Sequence, residues 1–267
     1  MRILVIGDAI IDVTVACESA QSSGGQPILR QVSRTQTRGG AAGVALVAES
    51  LGAQVRFLGT LAARITRIRC AGREDLRIDE TIQAPYQYYR PHVHHAVQYI
   101  LSGWPDAVIL ADYAKGALDA AARRQLIGAA CECGVPVVVG AARGVAWSEY
   151  AGATIISRNE HEADGWHEVA ASGQRVCVTY GRSGLRIQQG SEWEYGREHA
   201  VEVDPLGCGD SVVAALAIGL AERMPLDTLS RFAAAVGACQ ASRGPGVQPV
   251  GRAEADLLTA QPVAASL

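Results

Sequence analysis

The run Gly207-Cys208-Gly209-Asp210 holds the residues of this chain best suited to chemistry on an anion. Two glycines flank a small residue, and the apolar, Ala-rich stretch Val212 to Leu220 follows, so the glycines are expected at the N-terminus of a buried helix. Backbone N–H groups there have no intrahelical acceptor and point, with the positive end of the helix dipole, at whatever binds. Asp210 has two readings. A carboxylate in the first helical turn can be a cap or a dipole partner, or it can take a proton from a hydroxyl while the amides hold a transferring phosphoryl group. Asn159 and Glu162 stand at capping-box spacing, Asn-x-x-Glu. Lys115 is the chain's one lysine among arginines, and a compact ammonium kept there suits contact with a phosphate. Its bland alternative is a solvated loop residue.

These residues need a scaffold that brings them together, and the apolar pattern supplies one. Short runs rich in Val and Ile, at Ile3 to Ile6, Ala107 to Ala111, Val135 to Val139, Ala153 to Ile156 and Arg175 to Thr179, each end in a polar cluster. Such runs suit strands buried on both faces of a parallel sheet. Helical segments lie between them: Gly43 to Leu51 before Gly52, Pro91 to Leu101, Leu118 to Cys133 before Gly134, and Leu226 to Ser242. The alternation predicts an α/β fold, a doubly wound, mostly parallel sheet with helices on both faces in one domain over 1–267. Ligands in such sheets bind beyond the carboxyl ends of the strands, so the polar clusters should share one crevice. Asp8 and Asp12 follow the first strand and face it, although a lone aspartate there is usually a turn residue. Two stretches, about 28–38 and 64–80, alternate apolar and polar residues instead and are expected to form a small β lid.

Composition removes several function classes. A net charge of -3 over 267 residues, with no basic run interleaved with aromatics, gives no footprint for nucleic acid. No apolar run is long enough to span a membrane, the start at Met1 reads as a first strand rather than a signal peptide, and seven scattered cysteines suit reduced thiols in a cytoplasm. Cys131-Glu132-Cys133 and the His92, His94, His95 cluster lack the spacing or partners of a metal site, and His161-Glu162 does not continue as a zinc-protease motif. Neither a Walker A sequence nor a dinucleotide-binding Gly-x-Gly-x-x-Gly is present.

Taken in order, the motifs resemble those of the ribokinase-like (PfkB) carbohydrate kinases. Asp204-Pro205-Leu206-Gly207-Cys208-Gly209-Asp210 is similar to the family's signature, Gly39-Gly40-Ala41-Ala42 to its di-glycine motif, and Asn159-Glu160-His161-Glu162 to its Asn-x-x-Glu motif. Thr179 to Gly184 resembles the nucleotide-side strand and turn, and Gly244-Pro245-Gly246 lies where the family has a glycine-containing adenine loop. The runs Ala111 to Leu118 and Ser33 to Ala42 look most like the heptose-7-phosphate kinases of ADP-heptose synthesis.

The resemblance implies an ATP- and Mg²⁺-dependent phosphotransferase. Asp210 would be the catalytic base, with the amides of Gly207, Cys208 and Gly209 stabilising the phosphoryl group. Asp8, Asp12, Gly39, Gly40 and Lys115 would bind the sugar or sugar phosphate. Thr179, Gly181, Gly184, Gly244 and Gly246 would line the ATP side, and Asn159 and Glu162 would organise Mg²⁺ largely through water. A heptose phosphate is the acceptor implied first, with another small polyol or a nucleoside, or a non-catalytic binding homologue, as alternatives. Lid sheets in the family often make dimer contacts, which implies a homodimer, and the cell compartment implied is the cytoplasm. Four departures from the resemblance stand out. Gly43 stands where asparagine is usual, Gly140-Ala141-Ala142-Arg143 replaces an Asp-Pro-Lys-like run, and Leu206 and Cys208 replace commoner residues. Between Gly59-Thr60 and Thr66 the chain is shorter than its look-alikes, so a reduced lid is expected.

Overall fold

Eight residues of the first strand, Arg2 to Ala9, carry Ile3, Val5 and Leu4, Ile6 to opposite faces, and the β-branched run that follows keeps the chain extended to Ala20. The computed structural model describes residues 1–20, 28–71, 73–82, 89–196 and 203–260. The C-terminal stretch from 261, where the sequence shows no pattern, lies outside them. In chain order the elements are β1 (Arg2–Ala20), β2 (Ile28–Gly40), α1 (Ala41–Ser50), β3 (Gln54–Cys70), β4 (Arg73–Thr81), α2 (Arg90–Leu101), β5 (Ala107–Ala111), α3 (Ala120–Glu132), β6 (Val137–Gly140) and β7 (Ile155–Asn159). They continue with α4 (Trp166–Ala171), β8 (Val176–Thr179), β9 (Leu185–Gln189), β10 (Glu192–Gly196), α5 (Cys208–Ala221), α6 (Leu226–Ala241) and α7 (Arg252–Ala260).

The sheet runs β10-β9-β8-β7-β6-β5-β1-β3-β4, parallel from β8 to β3, with β9 and β10 added antiparallel at one edge. One face carries α1, α5 and α6 over Ile3, Val5, Ile109, Val138 and Ile155. The other carries α2 and α3 over Leu4, Ile6, Val108, Leu110 and Val139. This is the doubly wound arrangement expected from the apolar runs. Helix α5 is buried from Ser211 to Gly219, as a helix apolar on every side must be. No helix among the described residues is long and apolar enough to cross a membrane.

The expectation that the first strand ends at Ile6 needs correction. Strand β1 passes straight through Asp8 and pairs in parallel with β3 as far as Cys17 and Cys70. Asp8 forms no turn because its carboxylate is taken up by a neighbouring loop, which leaves the backbone extended. Beyond the parallel sheet, β1 and β3 are flanked antiparallel by β2 and β4, giving a four-stranded extension ordered β2-β1-β3-β4. It includes β1 from Ala9 and β3 ahead of residue 64, both outside the stretches predicted from alternation alone.

Candidate active site

The crevice expected from the sequence would lie where β1, β5 and the start of α5 meet beside the four-stranded extension. Gly207 opens α5 at φ +86, a left-handed conformation suited to glycine, and a Cβ there would stand 2.8 Å from Val247 Cγ2. Gly209 is exposed with no atom within 4 Å of where its Cβ would be, so backbone is bare at the helix mouth. The Cys208 amide makes a long turn bond, 3.3 Å, to the Pro205 carbonyl. The loop before α5 is anchored twice. Asp204, almost fully buried, accepts from the Leu206 amide at 2.9 Å and pairs with Arg69 from the end of β3. Gln240, buried in α6, donates to the carbonyls of Leu206 at 3.1 Å and Gly246 at 2.8 Å and accepts from the Gln248 amide at 3.0 Å.

Asp210 points from the first turn of α5 to Tyr113, whose hydroxyl donates to Asp210 Oδ1. Burial, opposed by this hydrogen bond and helped by the negative charge of Asp12, pushes the Asp210 carboxyl up to about 7. Tyr113 itself stands at the mouth of the loop after β5, and the same surroundings push its phenol well above its ordinary value. That loop is held from below by Asp8. The Asp8 carboxylate, fully buried, accepts from the amides of Tyr113 at 3.0 Å, Lys115 at 3.1 Å and Ala117 at 2.8 Å. Asp8 therefore faces the loop after β5, which takes up both of its carboxylate oxygens. Asp112 completes the support. It accepts from the Ala114 amide at 2.8 Å, Arg123 Nε at 2.7 Å and the Tyr150 hydroxyl at 2.9 Å.

Asp12 lies on the crevice side, where burial raises its carboxyl against the pull of Arg67 and Arg77. Its Oδ1 is 3.5 Å from Arg67 Nη1 and has no hydrogen-bond partner. Arg77 grips Asp79 at 2.7 and 2.9 Å, and Asp79 is held below the usual carboxylate range by Arg77 first, with Lys115 and Arg67 adding to it. Lys115 thus faces the cations of the extension across one electrostatic cluster. Gly39 and Gly40 are buried at the end of β2, where a Cβ would meet the Asp12 carboxylate and the Asp8 carbonyl respectively. Their missing side chains make room for β1.

Of the residues expected on the nucleotide side, several sit at the ends of β7 and β8. Asn159 and Thr179 are register partners on β7 and β8. The Asn159 side chain accepts from the His161 amide at 3.0 Å, capping a short 3-10 turn over Glu160–Glu162, so its capping role is realised here. Glu162 stands near Arg158. After β8 the chain turns tightly through Gly181 at φ +54 and Gly184 at φ +95. A Cβ on Gly244 would meet nothing within 4 Å, whereas Gly246, at φ +84, packs its backbone against Thr37 of β2. Among the described residues no cluster of three or more His, Cys, Asp or Glu could hold a metal by itself.

Three residues that hold the start of α5 escape motif reading: Tyr113, which bonds Asp210, Gln240, which bonds the loop carbonyls, and Arg69, the partner of Asp204. Gln240 alone carries a signal in the sequence, a polar residue on the buried face of an Ala- and Val-rich helix.

The model of the "pfkB family carbohydrate kinase" matches residues 146–249. The D-beta-D-heptose 7-phosphate kinase of Bordetella bronchiseptica is 32% identical over 265 residues, covering 81% of this chain and 83% of that protein. The bifunctional protein HldE of Koribacter versatilis is 29% identical over 313 residues, covering 98% of this chain. This chain spans between 56% and 64% of the length of the bifunctional relatives it matches. In three dimensions it superposes on phosphofructokinase-2 from Escherichia coli, solved with substrates and products, at a TM-score of 0.75 and 16% identity over 97% of this chain and 98% of that one.

Proposed function

Because this chain belongs to the pfkB family of carbohydrate kinases, we propose that it transfers the γ-phosphoryl group of ATP to a hydroxyl of a sugar phosphate, with a heptose phosphate the favoured acceptor. The observation that carries the reading is a half-buried Asp210, raised to about 7, one residue from a bare glycine at a helix N-terminus. A base near neutrality beside backbone N–H groups is what proton removal coupled to phosphoryl transfer demands.

In this reading Asp210 takes the acceptor's proton, and the amides at the start of α5, from Gly207 to Gly209, stabilise charge on the moving phosphoryl group. Asp12, with one oxygen lacking a hydrogen bond, orients the acceptor by its hydroxyls. Lys115, Arg67 and Arg77, set around Asp12 and Asp79, suit the phosphate already on the acceptor. Thr179, Gly181, Gly184, Gly244 and Gly246 border the ATP side. Asn159 and Glu162 offer a few hard oxygen donors at its edge, a set that fits Mg²⁺ retaining several waters. When bound, that cation neutralises charge on the phosphates. The four-stranded extension serves as the lid, and its exposed Ile28, Leu29, Val32, Leu76 and Ile78 suit pairing with a second copy. The cytoplasm, where ATP and sugar phosphates meet, is the proposed compartment.

A second reading, a homologue that binds without turnover, draws on the crevice itself. Space beside Gly43 is taken by Val247, and space beside Gly140 by Val213. An ADP-release assay over a panel of sugar phosphates, free sugars, polyols and nucleosides separates the two. Turnover strongest with a heptose phosphate supports the kinase reading. ATP binding without ADP release from any acceptor would replace it with the binding reading.

A further inference from the structure

Tyr113 sits on the candidate base itself, and the sequence motifs give it no role. Its ring is packed between the sheet-side cluster around α5 and the small cluster of Ile10, Ala63 and Ile65. Its backbone amide is fixed by Asp8 at 3.0 Å, so the loop that carries it is tied to β1. Its hydroxyl donates to Asp210 Oδ1. Both ends of the residue are therefore held, one by the sheet and one by the helix. A carboxylate in the first turn of a helix otherwise has free rotation about its side-chain bonds, and no cap bond from α5 restrains it.

We infer that Tyr113 is a positioning residue for the phosphoryl transfer: its phenol fixes the Asp210 carboxylate by one oxygen and turns the other toward the acceptor hydroxyl. The inference rests on the kinase reading for what the carboxylate does, and on the hydrogen bond alone for how it is held. Asp8 then acts at one remove, by setting the loop from which Tyr113 reaches. A phenol donor stabilises the ionised form of its acceptor, so the same contact keeps the base available at lower pH than burial alone would allow. The charged groups that act on the pair are Asp8 and Asp12 of β1, while Arg67 of β3 and Arg77 and Asp79 of β4 act in turn on Asp12, and Lys115 of the loop acts on Asp79. Of these, Asp12 bears on Asp210 most directly and opposes its ionisation.

The test compares the unaltered protein with Tyr113→Phe, which keeps the ring and its packing. Expected are a loss of roughly 10–100-fold in kcat, the effect of one hydrogen bond to a charged group, an ATP KM within about twofold, and an acid limb of the pH–rate profile moved upward by roughly one unit. A role in packing alone would lower thermal stability and leave that limb in place. A fluorinated tyrosine at 113, a more acidic donor of nearly the same shape, should move the limb the opposite way, and it serves where the phenylalanine variant folds poorly. Titrating the Asp210 carboxyl by carbon NMR, assigned with Asp210→Asn, reads the pair without turnover. An Asp210 titration unmoved by either change would overturn the inference. Absence of turnover in the unaltered protein would sink the kinase reading and leave that titration to judge Tyr113.

Discussion

Val247 occupies the space that a side chain at position 43 would need: a Cβ on Gly43 would stand 2.9 Å from Val247 Cγ2 and 3.1 Å from the Arg38 carbonyl. The same methyl lies 2.8 Å from the Cβ position of Gly207. One valine thus sets the glycine at both the start of α1 and the start of α5. Restoring a polar group by Gly43→Asn should therefore overpack this junction, lowering stability by about 1–3 kcal/mol and raising the acceptor KM. Pairing it with Val247→Ala should recover much of the stability. Thermal unfolding of the three variants checks this, and a single variant as stable as the parent would contradict it.

Legibility in the sequence followed burial. Strands covered on both faces have no choice but a continuous apolar run, so β5 to β8 and the two helical layers could be read from pattern. The glycine-flanked start of α5 was legible because few other sequences open a buried helix that way. The length of β1 was not, since Gly7-Asp8 looks like a turn until the Asp8 carboxylate is seen to be spent on a loop more than a hundred residues away. The antiparallel edge β9–β10, buried only at Leu185, Ile187 and Gly196, and the parallel half of β3 carry mixed residues that their neighbours make into strands. Tyr113 escaped for the same reason. Its partner lies on another element, and spacing along the chain is silent about that.

Asp210→Asn should cut kcat by about 10²–10⁴-fold with ATP affinity little changed. In the unaltered protein the base must be ionised, so activity should rise with pH through about 7. Stability runs the other way. A carboxyl raised in the folded state holds its proton longer than in the unfolded chain, so its stabilising effect is complete below the ordinary value of 3.8 and is lost as pH rises toward about 7. The asparagine variant should thus gain on the order of 2 kcal/mol relative to the parent at pH 8 and little at pH 4. Urea unfolding at the two pH values decides it.

Asp8→Ala separates loop anchoring from sugar binding. Removing the carboxylate leaves three amide donors, those of Tyr113, Lys115 and Ala117, without their acceptor. A loss of roughly 3 kcal/mol or more in stability is expected, along with a fall in kcat as Tyr113 loses its seat. A residue serving only as a sugar ligand would instead raise the acceptor KM and leave the unfolding midpoint where it was.

Arg69→Met tests whether the extension and the phosphoryl end of the crevice act as one piece. Arg69 lies at the far end of β3, yet its partner Asp204 belongs to the loop that leads into Gly207. With the cation gone, Asp204, only 2% exposed, keeps its bond from the Leu206 amide but has lost its counter-charge. A buried charge stripped of its partner costs about 3–5 kcal/mol, and the loop can escape that cost only by turning Asp204 outward. That movement would shift the amides at the start of α5, so kcat should fall while the bulk of the sheet stays folded. Arg69→Met combined with Asp204→Asn removes the buried charge and should restore most of the stability, though not the link between extension and loop. If both kcat and the unfolding midpoint of Arg69→Met match the parent, the pair carries no coupling, and the extension moves independently of the anion site.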